Sequence, residues 1–451
     1  MIDVETQPAA SMVETQPAAS VVVVETQTVA SIESNGIMVK NVRPMTVVLL
    51  LAACTTLMMT GHSMPYPVLA PWLIAHNIGM GALGWMSFAF SLGNLIAAPG
   101  AGYLVDRWGR RPVLIIGLLT IVIVNLVTPY IDGLIPFIVL RFVLGFGNAG
   151  IMPAALAATA DIAPEERRAQ WIGYVSGGIS IGLIIGPTIG GVLYDALGFA
   201  APFNVSGVMA LVAVILVLFI VPETRPALVP EPTDGPSRSG FGDIWRNPPR
   251  PLGVLATLLV VEFVWTFAWV ATEPAMIRQL YQQYAYTATM FGVVVGMHGA
   301  ATALGEFGFG GLSDRFGRFV LIAIGLVLHA AWYIGVDQAP QYSPLIIASI
   351  IAGLGAGLVI PAIGAAYVDI SSADQRGRIA AIKEMVLSLG GMLGPLFAAL
   401  TTDYLPPAYF FRGATAMILL ASGLAAVMIW RYGRRLVAVG APVPASESST
   451  L

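Results

Sequence analysis

Charge is scarce in this chain. Only 10% of its 451 residues are Asp, Glu, Lys or Arg, against 57% apolar, where a globular domain in water carries about 25% charged residues. So few charges cannot clothe a water-exposed surface, which excludes a soluble enzyme and leaves no basic face for nucleic acid. Cysteine is scarcer still, since a lone Cys54 forms no internal disulfide and supplies no thiolate cluster. The four histidines include no H-E-x-x-H pair, and no G-x-x-x-x-G-K-[ST] phosphate loop is present. Zinc-peptidase and ATP-driven chemistry are set aside, and no cofactor or metal is expected.

Long apolar runs take the place of charge. Residues 112–131 and 203–221 each match the roughly 20 residues that a helix needs to cross about 30 Å of hydrocarbon. The runs are too long and too rich in Gly and Ala for the roughly 10-residue strands of a membrane barrel. Spans are expected near 44–72, 82–104, 112–131, 134–157, 170–194, 202–221, 251–277, 288–311, 317–336, 344–367, 378–400 and 408–430. Of the 22 Lys and Arg, Arg278 and Arg412 alone fall at ends assigned to the outside. Basic residues stay on the cytoplasmic side, so both termini are expected inside an inner or plasma membrane. VETQPAAS at 4–11 returns at 13–20, and the first 40 residues read as a disordered cytoplasmic tail. The Pro-, Gly- and Ser-rich stretch 223–250 reads as a cytoplasmic linker between bundles 44–222 and 251–432, with a second tail at 433–451.

An internal repeat organises the spans. A shift of 208 residues, from Asp106 to Asp314, places Gly102-Tyr-Leu-Val-Asp106-Arg107-Trp-Gly109-Arg110 on Gly310-Gly-Leu-Ser-Asp314-Arg315-Phe-Gly317-Arg318. The same shift brings Pro153 and Asp161 onto Pro361 and Asp369, and Gly182, Gly186 and Pro187 onto Gly390, Gly394 and Pro395. Six helices separate the copies, an even number. The expected architecture is therefore an all-α membrane protein of two six-helix bundles in the same orientation, related by a pseudo-two-fold along the membrane normal.

On these residues the chain resembles the major facilitator superfamily, whose hallmark is G-x-L-x-D-R-x-G-R between the second and third helices. The likeness covers about residues 44–432. The stretch from Gly182 through Gly186, Pro187 and Gly190 to Gly191, and the P-E-T of Pro222 to Thr224, look like features of its drug:proton antiporter branch. The resemblance implies a latch in which Asp106 meets the positive end of a helix in the opposite half. It also implies that Arg110 pairs with Asp161 and Arg318 with Asp369; the alternative is that these loops, with Arg107 and Arg315, are positive-inside anchors alone. Gly178, Gly182, Gly186 and Gly190 recur every four residues on one helix face; they serve plain packing or, with Pro187, a flexing gate between the halves.

Ionisable groups inside a bilayer cost several kcal/mol and mark function by default. Arg141 either faces a cavity, as an Arg at this place in the superfamily often does, or snorkels to the outer interface. Glu262 falls near the middle of the seventh helix and is the first choice for a proton carrier, the alternative being a protonated core glutamate. Trp265 and Trp269 share its face. Glu306 belongs to the latch or to the proton route, His62 titrates or is structural, and Lys383 with Glu384 reads as a cytoplasmic snorkel. His298 and Glu273 are weaker choices, and the first helix holds no acid.

The expectation is a monomeric secondary transporter working by alternating access on a small-molecule substrate, exporting drug-like amphipathic compounds against inward-flowing protons. An importer, a uniporter or a non-transporting receptor of the same fold is the alternative.

Overall fold

Apolar segments that find no water for their backbone must bond it internally. The computed structural model describes residues 44–224, 251–309, 312–338, 341–371 and 375–432, with no strand among them and twelve helices long and apolar enough to cross a membrane. These are α1 Pro44–Ala75, α2 Gly81–Trp108, α3 Arg110–Tyr130, α4 Leu134–Ile162, α5 Glu165–Leu197 and α6 Ala200–Phe219, then α7 Leu252–Gln283, α8 Ala288–Phe309, α9 Arg318–Gln338, α10 Tyr342–Asp369, α11 Ile379–Thr401 and α12 Pro407–Tyr432. The expected tails, and the linker beyond Thr224, lie outside the described residues.

Several helices run past the hydrophobic stretch that announced them. Hydropathy placed the fifth at 170–194, but a helix continues until something stops it, and Gly198, with φ of 85°, ends α5. Helix α1 changes course where Pro65 and Pro67 interrupt its ladder, passing through a 3₁₀ turn at Tyr66–Val68.

The two halves pack alike. In the first, α1 lies on α5 and α6, α2 on α4, and α3 on α6; in the second, α7 lies on α11 and α12, α8 on α10, and α9 on α12. Adding six to each number in the first set gives the second, as a parallel pseudo-two-fold requires. Between halves, α2 meets α11 and α5 meets α8. A Cβ on Gly84 of α2 would sit 2.6 Å from the Pro395 carbonyl oxygen of α11, and one on Gly292 of α8 would sit 2.8 Å from the Pro187 carbonyl carbon of α5. The two contacts are 208 residues apart on both sides.

All hydrogen bonds between halves that join two described residues fall at one end of the molecule. They include Ser91 Oγ to the Gly391 carbonyl at 3.1 Å, Thr188 Oγ1 to the Gly292 carbonyl at 3.0 Å, and Tyr281 to the Pro67 carbonyl at 2.5 Å. At the other end, which carries the repeated Asp-Arg motif, nothing lies within 4 Å of where a Cβ would leave Gly100, Gly102, Gly173 or Gly177.

The glycine row on α5 does not lie between the halves. Gly178, Gly182, Gly186 and Gly190 abut Ala52, Thr56, Met59, Thr60, Ser63 and Met64 of α1, within the first half. A four-residue spacing makes a narrow face but does not choose its partner; α8 is met instead by Ile184, Pro187, Thr188, Gly191 and Asp195. A Cβ on Gly182 would sit 2.7 Å from both the Met59 Cβ and the Thr56 carbonyl oxygen. Gly182→Leu is expected to cost about 1–3 kcal/mol by overpacking and to lower the unfolding temperature in detergent, while Gly173→Leu leaves it nearly unchanged.

Candidate functional site

At the motif end the turn between α2 and α3 is a single residue. Gly109 makes it with φ of 105°, and Gly317 repeats it with φ of 99° before α9, a region that L side chains rarely enter. The first N–H groups of α3 have no helical partner. Glu223, just beyond α6, takes two of them: Oε1 accepts from Arg110 N at 2.9 Å and Oε2 from Arg111 N at 3.2 Å. Any Cβ at Gly109 would lie 2.5 Å from that carboxylate. Thr224 Oγ1 donates to Asp161 Oδ2 at 3.0 Å, so the P-E-T fastens α6 to both α3 and α4.

Asp161 also receives Arg110 Nε at 2.9 Å, and Arg110 Nη1 donates to the Val105 carbonyl at 3.1 Å. In the second half Arg318 Nε lies 3.0 Å from Asp369 Oδ2, and its guanidinium also donates to Ser313 Oγ. Both pairs stay inside one half. Asp106 is not placed in the latch expected of it: its side chain is 80% exposed and 3.8 Å from Arg110, and among the described residues no hydrogen bond or ion pair joins it to the opposite half. Arg107 is exposed and bonds Tyr103 on its own helix; Arg315 is exposed too. The Asp314 side chain, and Gly310, lie outside the described residues.

Between the halves lies a cavity of about 640 Å³. Its walls are mostly apolar, with Leu83, Met86, Phe90 and Trp269 among them. Arg141 of α4 and Glu273 of α7 face each other across it, and the Tyr66 hydroxyl of α1 faces the same carboxylate. His62 packs on Phe90, ring centroids 5.3 Å apart, and Glu306 lines the wall nearer the motif end. Arg141 thus points inward rather than to the interface, and Glu306 belongs to the cavity rather than to the turn between α8 and α9.

A second pocket of about 380 Å³ opens inside the second half and shares Trp269, His298, Thr302 and Ile360 with the first. Glu262 lies here, 5% exposed, not in the shared cavity. Its Oε1 is 3.6 Å from Lys383 Nζ, and its Oε2 accepts from the Tyr367 hydroxyl at 3.0 Å. The cytoplasmic snorkel expected of Lys383 is therefore not observed: a carboxylate in low dielectric outcompetes the interface for the ammonium. Trp265 Nε1 donates to His329 Nε2 at 3.0 Å, which leaves His329 Nδ1 to carry the proton toward the Ala352 carbonyl, 3.3 Å away. Trp269 stacks on Trp332 and lies beside His298, at 5.3 Å and 5.0 Å between centroids.

Two bundles in parallel pseudo-symmetry, with one cavity between them, are the plan of a known family. The family model of the Major Facilitator Superfamily matches residues 51–277 and 258–448, nearly the whole membrane region. The chain belongs to this superfamily. Multidrug resistance protein 2 of Bacillus subtilis is 25% identical over 374 residues, 82% of this chain and 92% of its own. Multidrug resistance protein MdtG of Citrobacter koseri is 27% identical over 347 residues, covering 76% and 81%. A bacterial homolog of the human lysosomal transporter Spinster, solved inward-facing and unoccupied, aligns with a TM-score of 0.70 at 18% identity over 88% of this chain and 98% of that one. The human organic anion transporter MFSD10 aligns at 0.61 and 19%, covering 88% and 100%. These structures share the fold.

As a member of the superfamily the protein is a multi-pass membrane transporter of small molecules, not an enzyme. Sequence reasoning missed Glu223 as a helix cap, Lys383 as the partner of Glu262, and His329 altogether. The P-E-T of Pro222 to Thr224, just after a helix, was the one signal that could have found the first. If Glu262 and Lys383 are coupled, Lys383→Met strands a buried carboxylate. It is then expected to lower the unfolding temperature more than Glu262→Gln with Lys383→Met together, a coupling of about 1–3 kcal/mol. A loss in the double variant equal to the sum of the losses in Lys383→Met and Glu262→Gln alone would show no coupling.

Proposed function

We propose that the protein exports amphipathic, weakly polar organic molecules by alternating access, driven by inward proton flow, with its motif end and both tails on the cytoplasmic side. The observation that carries this reading is the cavity shared by both halves: large enough for a drug-sized ligand, mostly apolar, and holding few charges that already face one another. Relatives named multidrug resistance proteins support the substrate class. The clustering of Arg at the motif end supports the orientation.

The proton is placed on Glu273 in this reading, in preference to Glu262. Glu273 faces Arg141 and Tyr66 of the other half, so its charge bears on how the halves attract. Glu262 answers to Lys383 and Tyr367 within its own half. Glu306, in the cavity wall and without an ion pair among the described residues, is the second acid that a proton or a substrate amine would meet. Arg110 with Asp161 and Arg318 with Asp369 act in this reading as braces that keep each half rigid while the two rock.

In everted vesicles, a lipophilic fluorescent dye is expected to accumulate when the lumen is made acidic, and Glu273→Gln is expected to abolish the dependence on the gradient. Uptake that ignores the gradient in the unaltered protein removes the proton coupling. Dye driven outward from such vesicles makes the protein an importer.

A further inference from the structure

We propose that Asp195 and Asp403 are a pair of symmetry-related clasps that hold the closed end shut, each carboxylate capping a helix of the other half. Asp195, in the last turn of α5, accepts with Oδ2 the backbone N–H of Thr289 in the first turn of α8, at 2.8 Å. Asp403, just beyond α11, accepts with Oδ1 the N–H of Gly81, the first residue of α2, at 3.1 Å. From Asp195 to Asp403 is 208 residues, and from Gly81 to Thr289 is 208. The contact is made twice, once in each direction across the pseudo-two-fold.

Helices α2 and α8 both begin at the closed end, and their first N–H groups lack helical partners and carry the positive end of the helix dipole. An acceptor with a negative charge fits that place better than water does. Room for it is built in: a Cβ on Gly79 or Gly81 would lie 2.5 and 2.7 Å from Asp403 Oδ2. On α8 the corresponding cap is divided, with Thr287 Oγ1 accepting from Met290 N at 3.2 Å beside the bond from Asp195.

These bonds differ in what they join from the ion pairs and from the Glu223 cap, and they add a charged acceptor to the neutral bonds Ser91–Gly391 and Thr188–Gly292 between the same helix pairs. Arg110–Asp161, Arg318–Asp369, Glu262–Lys383 and the Glu223 cap each tie helices of one half, and rocking the halves leaves them intact. The clasps tie α5 to α8 and α2 to α11, the two helix pairs that must part if the closed end opens. Asp195 and Asp403 are exposed at their surface end, so on release the carboxylates and the freed N–H groups pass to water. Such contacts are strong enough to bias a two-state equilibrium and weak enough to break in every cycle.

The proposal rests on the alternating-access reading and not on substrate or proton coupling, and its test needs neither. Cys54 is the sole cysteine, so Cys54→Ser supplies a blank background. In it, Leu69→Cys reports the cavity wall of α1 to a membrane-impermeant maleimide added at the closed-end face of intact cells, and Ser180→Cys reports the α5 wall from the opposite face in everted vesicles. Asp195→Asn and Asp403→Asn are each expected to raise the rate at Leu69→Cys about two- to fivefold, the usual range for one charge at a helix N-terminus. Together they should raise it about three- to thirtyfold, with a fall at Ser180→Cys. Unchanged rates in the double variant overturn the clasp. A rise at both cysteines means that the carboxylates hold the fold rather than the gate, and overturns it as well. If Leu69→Cys never reacts from that face in any protein, alternating access itself fails and the clasp with it.

Discussion

Helices in a bilayer keep their backbone bonds to themselves, and every contact between the halves is shaped by that constraint. Two surfaces that must part and meet again can leave no broken ladder behind in hydrocarbon. The closed end satisfies this by bringing intact helices together where one side has no side chain: Gly84 against the Pro395 carbonyl and Gly292 against the Pro187 carbonyl. Close approach there gains dispersion contacts without opening a single helical hydrogen bond.

Charge is sorted by the same logic. A lone charge in low dielectric is expensive, and pairing it makes the pair costly to break. Pairs that sit inside one half, such as Arg110 with Asp161 and Glu262 with Lys383, are therefore structural fasteners by position. Arg141 and Glu273, which face each other across the shared cavity, are different: their separation changes whenever the halves move. In the proposed cycle, the cavity is where an electrostatic change is converted into motion.

How far the fold was legible follows from what each signal measures. Hydropathy reports the length of a span, and twelve spans were legible because each apolar run is long. The repeat reported topology, since a pairing such as Arg110 with Asp161 recurs at the same separation of 51 residues in Arg318 with Asp369. Depth along a helix was also readable, but its rotation was not. Glu262 and Glu273 are eleven residues apart on α7, three helical turns, yet one is held inside its half and the other looks into the shared cavity. Trp269 borders both pockets.

The sequence by itself determined the membrane class, the helix count and the parallel duplication, because length, hydropathy and repeat register are properties of a linear string. It also marked the tight turns, since Gly109 and Gly317 are demanded locally by positive φ. Only the tertiary structure decided which helix the α5 glycines meet, which acid Lys383 answers, that Glu223 closes the start of α3, and which end of the two halves is shut. Each of those depends on the packing of residues tens to hundreds of positions apart. In a bundle with so many equivalent apolar faces, that packing is settled by three-dimensional fit and not by any local pattern.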